Sequence, residues 1–426
     1  MSRTLTPKDC YGLINAIYAQ LTGQVSLAAT DPSSFISVGE SILNSGIENT
    51  LNALSLVLGR TFMAVRPYNA KLDLFNATNS GLYSNRMRKI SFLSRVAQPS
   101  GAFNTDLYTN HNMGYDNGAN GGASLPTMWE QNQPVPLELN FGGRSVWDDS
   151  TTVYEDQLQA AFRSEDEFAK FMAGVMVEKG NDIETEKESF NRALLLNYLA
   201  GLYDMDGILS NGQAVDLAAA YNTRFGTNHS RNTLLTTKYR EFLEFVVATI
   251  KKYSDLLTYR SSASHWAVQK TVGGTTYTLL RHTPKNRQRL MMYRPFWLDA
   301  EARVLPEIFN DQYLQPEQYE GVDYWQAYGD DTPGNGPAIS ITPAIPDTTD
   351  PTEQTTGTAV QLDYVLGVLF DEDALMIDYQ LDASYSTPVE ARKRYRNIWW
   401  HFAKNAINDF TENGILFYIG DGGNDQ

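Results

Sequence analysis

Residues 98–124, "QPSGAFNTDLYTNHNMGYDNGANGGAS", are where the chain stops reading like a globular domain. Glycine and asparagine dominate, and no repeat of 3.6 or 2 residues survives. Ordering such a tract costs about 1–2 kcal/mol of backbone entropy per residue, which its few apolar side chains cannot offset alone. A structureless run of this length is either disordered or an arm that needs contacts from outside the chain. Its flanks, "RKISFLSRV" and "PVPLELNFGG", read as strands, so residues 85–143 are expected to form one long extended hairpin. Phe103, Leu107, Tyr108, Tyr115 and Trp129 would then find partners only on another molecule.

The remainder has a globular composition, 42% hydrophobic and 20% charged over 426 residues, enough to bury a core. With 34 Lys and Arg against 50 Asp and Glu, the net charge is −16. Nucleic-acid binding needs a basic face to neutralise phosphates, so that role is disfavoured. An acidic protein can still sit beside nucleic acid if its task is not to adhere to it. The single cysteine, Cys10, rules out an intrachain disulfide and reads as a small buried residue of the first helix. "MSRTLTPKDCYGL" has no apolar core of an export signal, and no run of about 18 apolar residues occurs, so neither export nor a membrane span is expected.

Thr6, Pro7 and Asp9 signal a helix start. Val38, Ile42, Leu43, Ile47, Leu51, Leu54 and Leu58 lie on one face of a second helix, and "RTFMAVRPY" follows as a strand. Ser164 and Glu167 form a capping box. Phe168, Phe171, Met172, Val175 and Met176 continue it as an apolar stripe that Gly180–Asn181 is expected to break. A separate helix then runs through Phe190, Leu194, Tyr198 and Leu202. A further helix is expected near 235–257, short strands such as "TTYTLL" and "AISITPAI" within 258–345, and a surface loop over 346–358. "YRNIWWHFAKNAINDF" fits helix and strand about equally, and periodicity does not separate them.

No phosphate-loop, dinucleotide, serine-hydrolase or zincin pattern occurs, and His111, His229, His265, His282 and His401 show no ligand spacing. His282 falls in a basic loop and His401 among Trp399, Trp400 and Phe402, where packing is the simpler role. "VLGVLFDEDALMIDY", 365–379, gathers Asp371, Glu372 and Asp373, with Asp378 further on. Those acids admit a cation site or a catalytic pair, but the quick return to apolar residues favours a strand, a polar tip and a returning strand or edge. Tyr313, Tyr319, Tyr324, Trp325 and Tyr328 could form a sugar-stacking platform, or could equally be core and interface aromatics. These residues therefore nominate no catalytic, cofactor or metal position.

Two segments resemble the major capsid proteins of tailed bacteriophages, nearest in appearance to the coats of small short-tailed phages. They are "FRSEDEFAKFMAGVMVEKGNDIETEKESFNRALLLNYLAGLYD" (162–204) and "LDYVLGVLFDEDALMIDYQL…RYRNIWWHFAKNAINDFTENGILFYI" (362–419). The resemblance implies an α+β fold of the type named for phage Hong Kong ninety-seven and shared with herpesvirus capsid floors. It implies an N-terminal helical arm at 1–84, an extended loop at 85–143 and a peripheral domain with a spine helix at 144–215. An axial domain at 216–345 and peripheral-domain strands at 346–426 complete it. It favours strand for 395–410 and makes "FDEDAL" a turn of an assembly protein.

The function implied is self-assembly, as hexamers and pentamers, into the icosahedral shell around a double-stranded DNA genome, without enzymatic activity or cofactor. Scaffolding and portal proteins are implied partners, with packaged DNA nearby but not specifically bound and no membrane involved. The implied location is the virion capsid, after synthesis in the host bacterial cytoplasm. No charged scaffolding segment precedes the arm and no immunoglobulin-like module follows "FYIGDGGNDQ", so any scaffold is expected to be external. A glycan-binding surface protein and an encapsulin-like compartment shell are the alternatives.

Overall fold

Two β-sheets lean on one long helix. The computed structural model describes residues 7–22, 29–44, 72–77 in part, 87–95, 134–141, 145–157 in part, 165–303 save 273, 319–326, 338–349 and 353–423. The tract 98–124, the strand expected in "RTFMAVRPY", the capping residue Ser164 and the extension of the second helix to Leu58 lie outside the described residues.

Helix α1 (Pro7–Thr22) starts on its proline, as expected, and carries Cys10. In α2 (Pro32–Asn44), Phe35, Val38 and Ile42 are buried, and the Asp31 carboxylate caps the first turn by accepting the Ser34 N–H at 2.7 Å. A short strand β1 (Asn76–Ala77) precedes β2 (Met87–Leu93) and β3 (Val135–Phe141), which pair antiparallel along their whole length. The expected flanking strands of the extended hairpin are therefore present. After β4 (Ser145–Tyr154) comes α3 (Glu165–Leu209), one unbroken helix of 45 residues and about 67 Å. The break expected at Gly180–Asn181 does not occur. An interior glycine costs only about 1 kcal/mol relative to alanine, and Gly180 is buried within the helix.

The next stretch is β5 (Ala214–Asp216), α4 (Leu217–Phe225), α5 (Arg231–Leu235) and α6 (Tyr239–Leu256), the last matching the helix expected near 235–257. Asp216 caps α4 through the Ala218 N–H at 2.9 Å, and Gly226 ends it in the left-handed region at φ 66°. Strands β6 (Gln269–Val272) and β7 (Thr275–Thr278) form a hairpin, followed by β8 (Gln288–Tyr293), α7 (Arg294–Arg303) and β9 (Tyr319–Val322). Sequence periodicity did not disclose α7. Strands β10 (Ile339–Ile341), β11 (Ala344–Pro346), β12 (Gln354–Thr356) and β13 (Val360–Leu362) make two small ladders, β10 with β13 and β11 with β12. The Thr/Pro segment 346–358 is thus partly strand, not only loop.

The chain closes with β14 (Val365–Asp371), β15 (Leu375–Ser386), β16 (Tyr395–Asn408) and β17 (Gly414–Tyr418). Residues 395–408 are strand, and the alternating burial of Arg396, Ile398 and Trp400 shows the period of two that the aromatic crowding obscured. One sheet has the order β1-β15-β16-β4 and the other β5-β17-β14-β8-β9. Strands β14 and β15 are therefore not a hairpin, contrary to the expected returning strand. The chain leaves one sheet at Asp371 and enters the other at Leu375. At the centre of the five-stranded sheet, a Cβ on Gly367 would collide with the Met291 carbonyl and the Met292 sulfur, so only glycine fits.

Helix α3 contacts strands of both sheets. Its Leu195, Tyr198, Leu199 and Leu202 are fully buried, with the Tyr198 ring stacked on Phe410 at 5.4 Å and edge-on to Phe370 at 6.0 Å. On the four-stranded side, Lys404 Nζ sits 3.3 Å from the Trp147 ring centroid, 3.9 Å from that of Phe190 and 3.8 Å from Glu186. Burial pushes the Lys404 ammonium down against the pull of Glu186. Helix α6 covers the other sheet, where its Ser254 hydroxyl donates to Gln288 Oε1 at 2.6 Å.

Candidate assembly site

The β2–β3 ladder has its faces the wrong way round for a strand read by hydrophobicity. In β2 the buried or half-buried positions are Lys89, Ser91 and Leu93, while Ile90 is 52% and Phe92 63% exposed. In β3 the order is conventional, with Val135, Leu137 and Leu139 inward and Pro136, Glu138 and Asn140 outward. The register puts Phe92 beside Pro136 and Ile90 beside Glu138, so the outer face is apolar at one end. At the other end Arg88 pairs with Glu138 at 2.7 Å.

The inner face is held by charge. Lys89 Nζ lies 2.6 Å from both Asp409 Oδ2 and Glu412 Oε1, carboxylates that are 1% and 8% exposed. Arg281 bridges the same loop to the strand, donating to Ser91 Oγ at 2.8 Å and to the Thr411 carbonyl at 3.2 Å, with Glu412 at 3.0 Å. Burial alone would lower the Lys89 ammonium, but Asp409 and Glu412 outweigh it and its pKa is raised. Burial also pushes the Glu412 carboxyl up, with Lys89 and Arg281 offsetting it only in part. Beyond the ladder, Ser94 exchanges backbone hydrogen bonds with Thr278 at 2.9 and 2.8 Å. The ladder is thus pinned flat on the body through loop 409–413, which links the two sheets.

The acid turn at 371–373 adjoins this loop. Asp371 is 3% exposed, not an open tip residue. Its Oδ2 accepts from the Thr283 hydroxyl at 2.7 Å, its Oδ1 accepts the Asp373 N–H at 3.0 Å, and its own N–H donates to the Asn413 carbonyl at 2.9 Å. Glu372 pairs with Arg287 at 2.9 Å and Arg289 at 2.6 Å, and Arg287 also meets Asp373. Two arginines of the β8 segment therefore neutralise the turn, and no set of three metal-ligating side chains occurs among the described residues. The turn is a joint between sheets. Asp378 is buried within β15.

The aromatic platform does not assemble among the described residues. Trp325 is 1% exposed, with its indole N–H donated to the Val365 carbonyl at 2.8 Å. Tyr324 lies under the Arg192 guanidinium at 3.7 Å and Tyr319 packs on Trp297 at 5.2 Å. Tyr313 and Tyr328 are outside the described residues. His282 is exposed, and the His401 ring packs on Tyr385 at 5.5 Å, both as expected. Sequence reading missed Lys89, Arg281, Asp409 and Glu412. The available signal was a lysine at a strand position whose neighbours in the partner strand are apolar.

Residues 144–418, well over half of the chain, match the model of the phi29-like phage major capsid protein family. The chain belongs to that family. Its capsid proteins build a multimeric shell, and the virion capsid is where this protein resides. The capsid of Staphylococcus phage Andhra is similar over 83% of this chain and 84% of its own, at 9% identity and a TM-score of 0.51. At that identity the likeness shows the fold alone, the tailed-phage capsid type. The capsid of cyanophage P-SCSP1u is similar over 82% of this chain and 88% of its own, at 8% identity and a TM-score of 0.42. No curated protein matches the sequence. Among the described residues no helix is long and apolar enough to cross a membrane.

Proposed function

We propose that the capsid protein forms hexamers and pentamers of an icosahedral shell around double-stranded DNA, with the outer face of the β2–β3 ladder seated on a neighbouring copy. The observation that carries the contact is the inverted strand, which buries Lys89 and Ser91 and leaves Ile90 and Phe92 in solvent. Exposing two large apolar side chains while burying a lysine makes sense when a second surface covers them. Residues 1–84 serve as the arm, 85–143 as the extended loop, 144–215 with strands of 346–426 as the peripheral domain, and 216–345 as the axial domain. The strand pairing supports assigning β14 and β17 to the axial sheet, since β14 pairs with β8 and β17 lies between β14 and β5.

The protein performs no turnover chemistry on this reading, and scaffolding and portal proteins act with it. Its charge of −16 suits a lining that repels packaged DNA and does not hold it. The test is the Ile90→Asn/Phe92→Asn variant, analysed for folding by circular dichroism and for assembly by light scattering. A folded variant that no longer assembles supports the contact. One that assembles as well as the original protein removes it.

A further inference from the structure

The turn joining β15 to β16 carries Arg392, Lys393 and Arg394 in succession, all exposed, on a chain whose net charge is −16. Among the described residues neither Arg392 nor Lys393 has an ion-pair partner, and Arg394 reaches Glu155 only at 3.9 Å. Around the turn, Tyr154 is 44% and Tyr385 64% exposed, and Tyr154 packs on Tyr395 at 5.7 Å. The ladder register sets these rings on one face, because Tyr154 opposes Tyr395 and Tyr385 opposes Trp399 four residues along. Arginine and tyrosine beside each other are the residue types that concentrate binding energy at protein interfaces.

The turn is also held in shape. Arg394 adopts φ 50°, a left-handed conformation that is unfavourable for a residue with a side chain. The Glu390 carboxylate caps the Lys393 N–H, the Glu390 carbonyl accepts the Arg394 N–H at 2.8 Å, and the Arg394 carbonyl accepts the Glu155 N–H at 3.0 Å. A charged surface ordered before it binds loses less entropy on binding.

We propose that this end of the four-stranded sheet docks on an acidic face of a second copy of the chain, with Arg392 and Lys393 as the gripping residues. The inference rests on the shell reading above. The second copy carries the same charge of −16, with acids such as Asp148 and Asp363 exposed, so its surface is complementary in sign to the turn. Three charges would neutralise roughly three phosphates, a weak hold on DNA that the surrounding negative field opposes. The same field on a neighbouring subunit attracts the turn.

The experiment compares the full chain with Arg392→Glu/Lys393→Glu and Arg392→Gln/Lys393→Gln variants, measuring melting temperature and assembly rate by light scattering at about 50 mM and about 500 mM salt. Both variants are expected to melt with the original protein, since the altered side chains are exposed. The Gln pair should assemble roughly tenfold more slowly at low salt, the Glu pair more slowly still, and the salt sensitivity of the original should be lost. Variants that assemble at the original rate overturn the inference, including the case in which they assemble normally but retain less DNA, which would assign the turn to nucleic acid. An original protein that never assembles under the same conditions contradicts the shell reading first and the inference with it.

Discussion

Lys89 Nζ and Asp409 Oδ2 stand 2.6 Å apart although 320 positions separate the residues in sequence. This contact ties the ladder that carries the exposed Ile90 and Phe92 to the loop joining the two sheets. Removing the lysine leaves Asp409 and Glu412 buried together, with Arg281 the remaining cation paired to them among the described residues. Lys89→Met is expected to lower stability by about 3 kcal/mol in urea unfolding, and adding Glu412→Gln to restore part of that loss. A loss below about 1 kcal/mol would show that the ladder is held by its apolar residues alone.

Asp371 and Glu372 are adjacent acids in different surroundings. Asp371 accepts hydrogen bonds inside the protein, while Glu372 is 37% exposed between two arginines. Asp371→Ala should cost about 2–3 kcal/mol, and Glu372→Gln less than about 1 kcal/mol. Calcium or magnesium should leave the melting temperature unchanged for both variants and for the original protein. Stabilisation by either ion that Asp371→Ala abolishes would restore the cation reading of this turn.

Burial pushes the Tyr418 hydroxyl up to about 12, with Asp216, Tyr203 and Asp206 adding to the shift. Tyr198, fully buried, is raised for the same reason, and the Lys89 pKa is raised by its acids. Each group contributes stability that is complete below its unfolded pKa, near 10 for tyrosine and 10.5 for lysine, and is lost as pH rises through its folded value. The urea midpoint should therefore fall steeply above pH 10 through these groups. Tyr418→Phe should fall less steeply between pH 10 and 12. Equal slopes for the two proteins would mean that the Tyr418 hydroxyl ionises freely in the folded state.

Much of this architecture is legible in sequence where one physical rule acts alone. The apolar stripe from Phe190 to Leu202 reports the long helix because it must face a core, and Val135, Leu137 and Leu139 report the inward face of β3. The rest depends on partners distant in sequence. The helix passes through Gly180 because burial outweighs a local preference. The strand β16 hides its period because Trp399 and His401 on the outer side are as bulky as Ile398 and Trp400 on the inner side. Strand β2 points Lys89 inward only because Asp409 and Glu412 are waiting there. The acids at 371–373 similarly become a joint through Thr283, Arg287 and Arg289, none of which their own segment announces.

Electron microscopy of the expressed full chain tests the central claim most directly. A protein whose ladder leaves Ile90 and Phe92 open and whose family builds capsids should give closed shells of uniform size, or hexamer sheets and tubes, when concentrated with a scaffold-containing extract. A chain that remains a folded monomer across the same concentrations and salts would contradict the account.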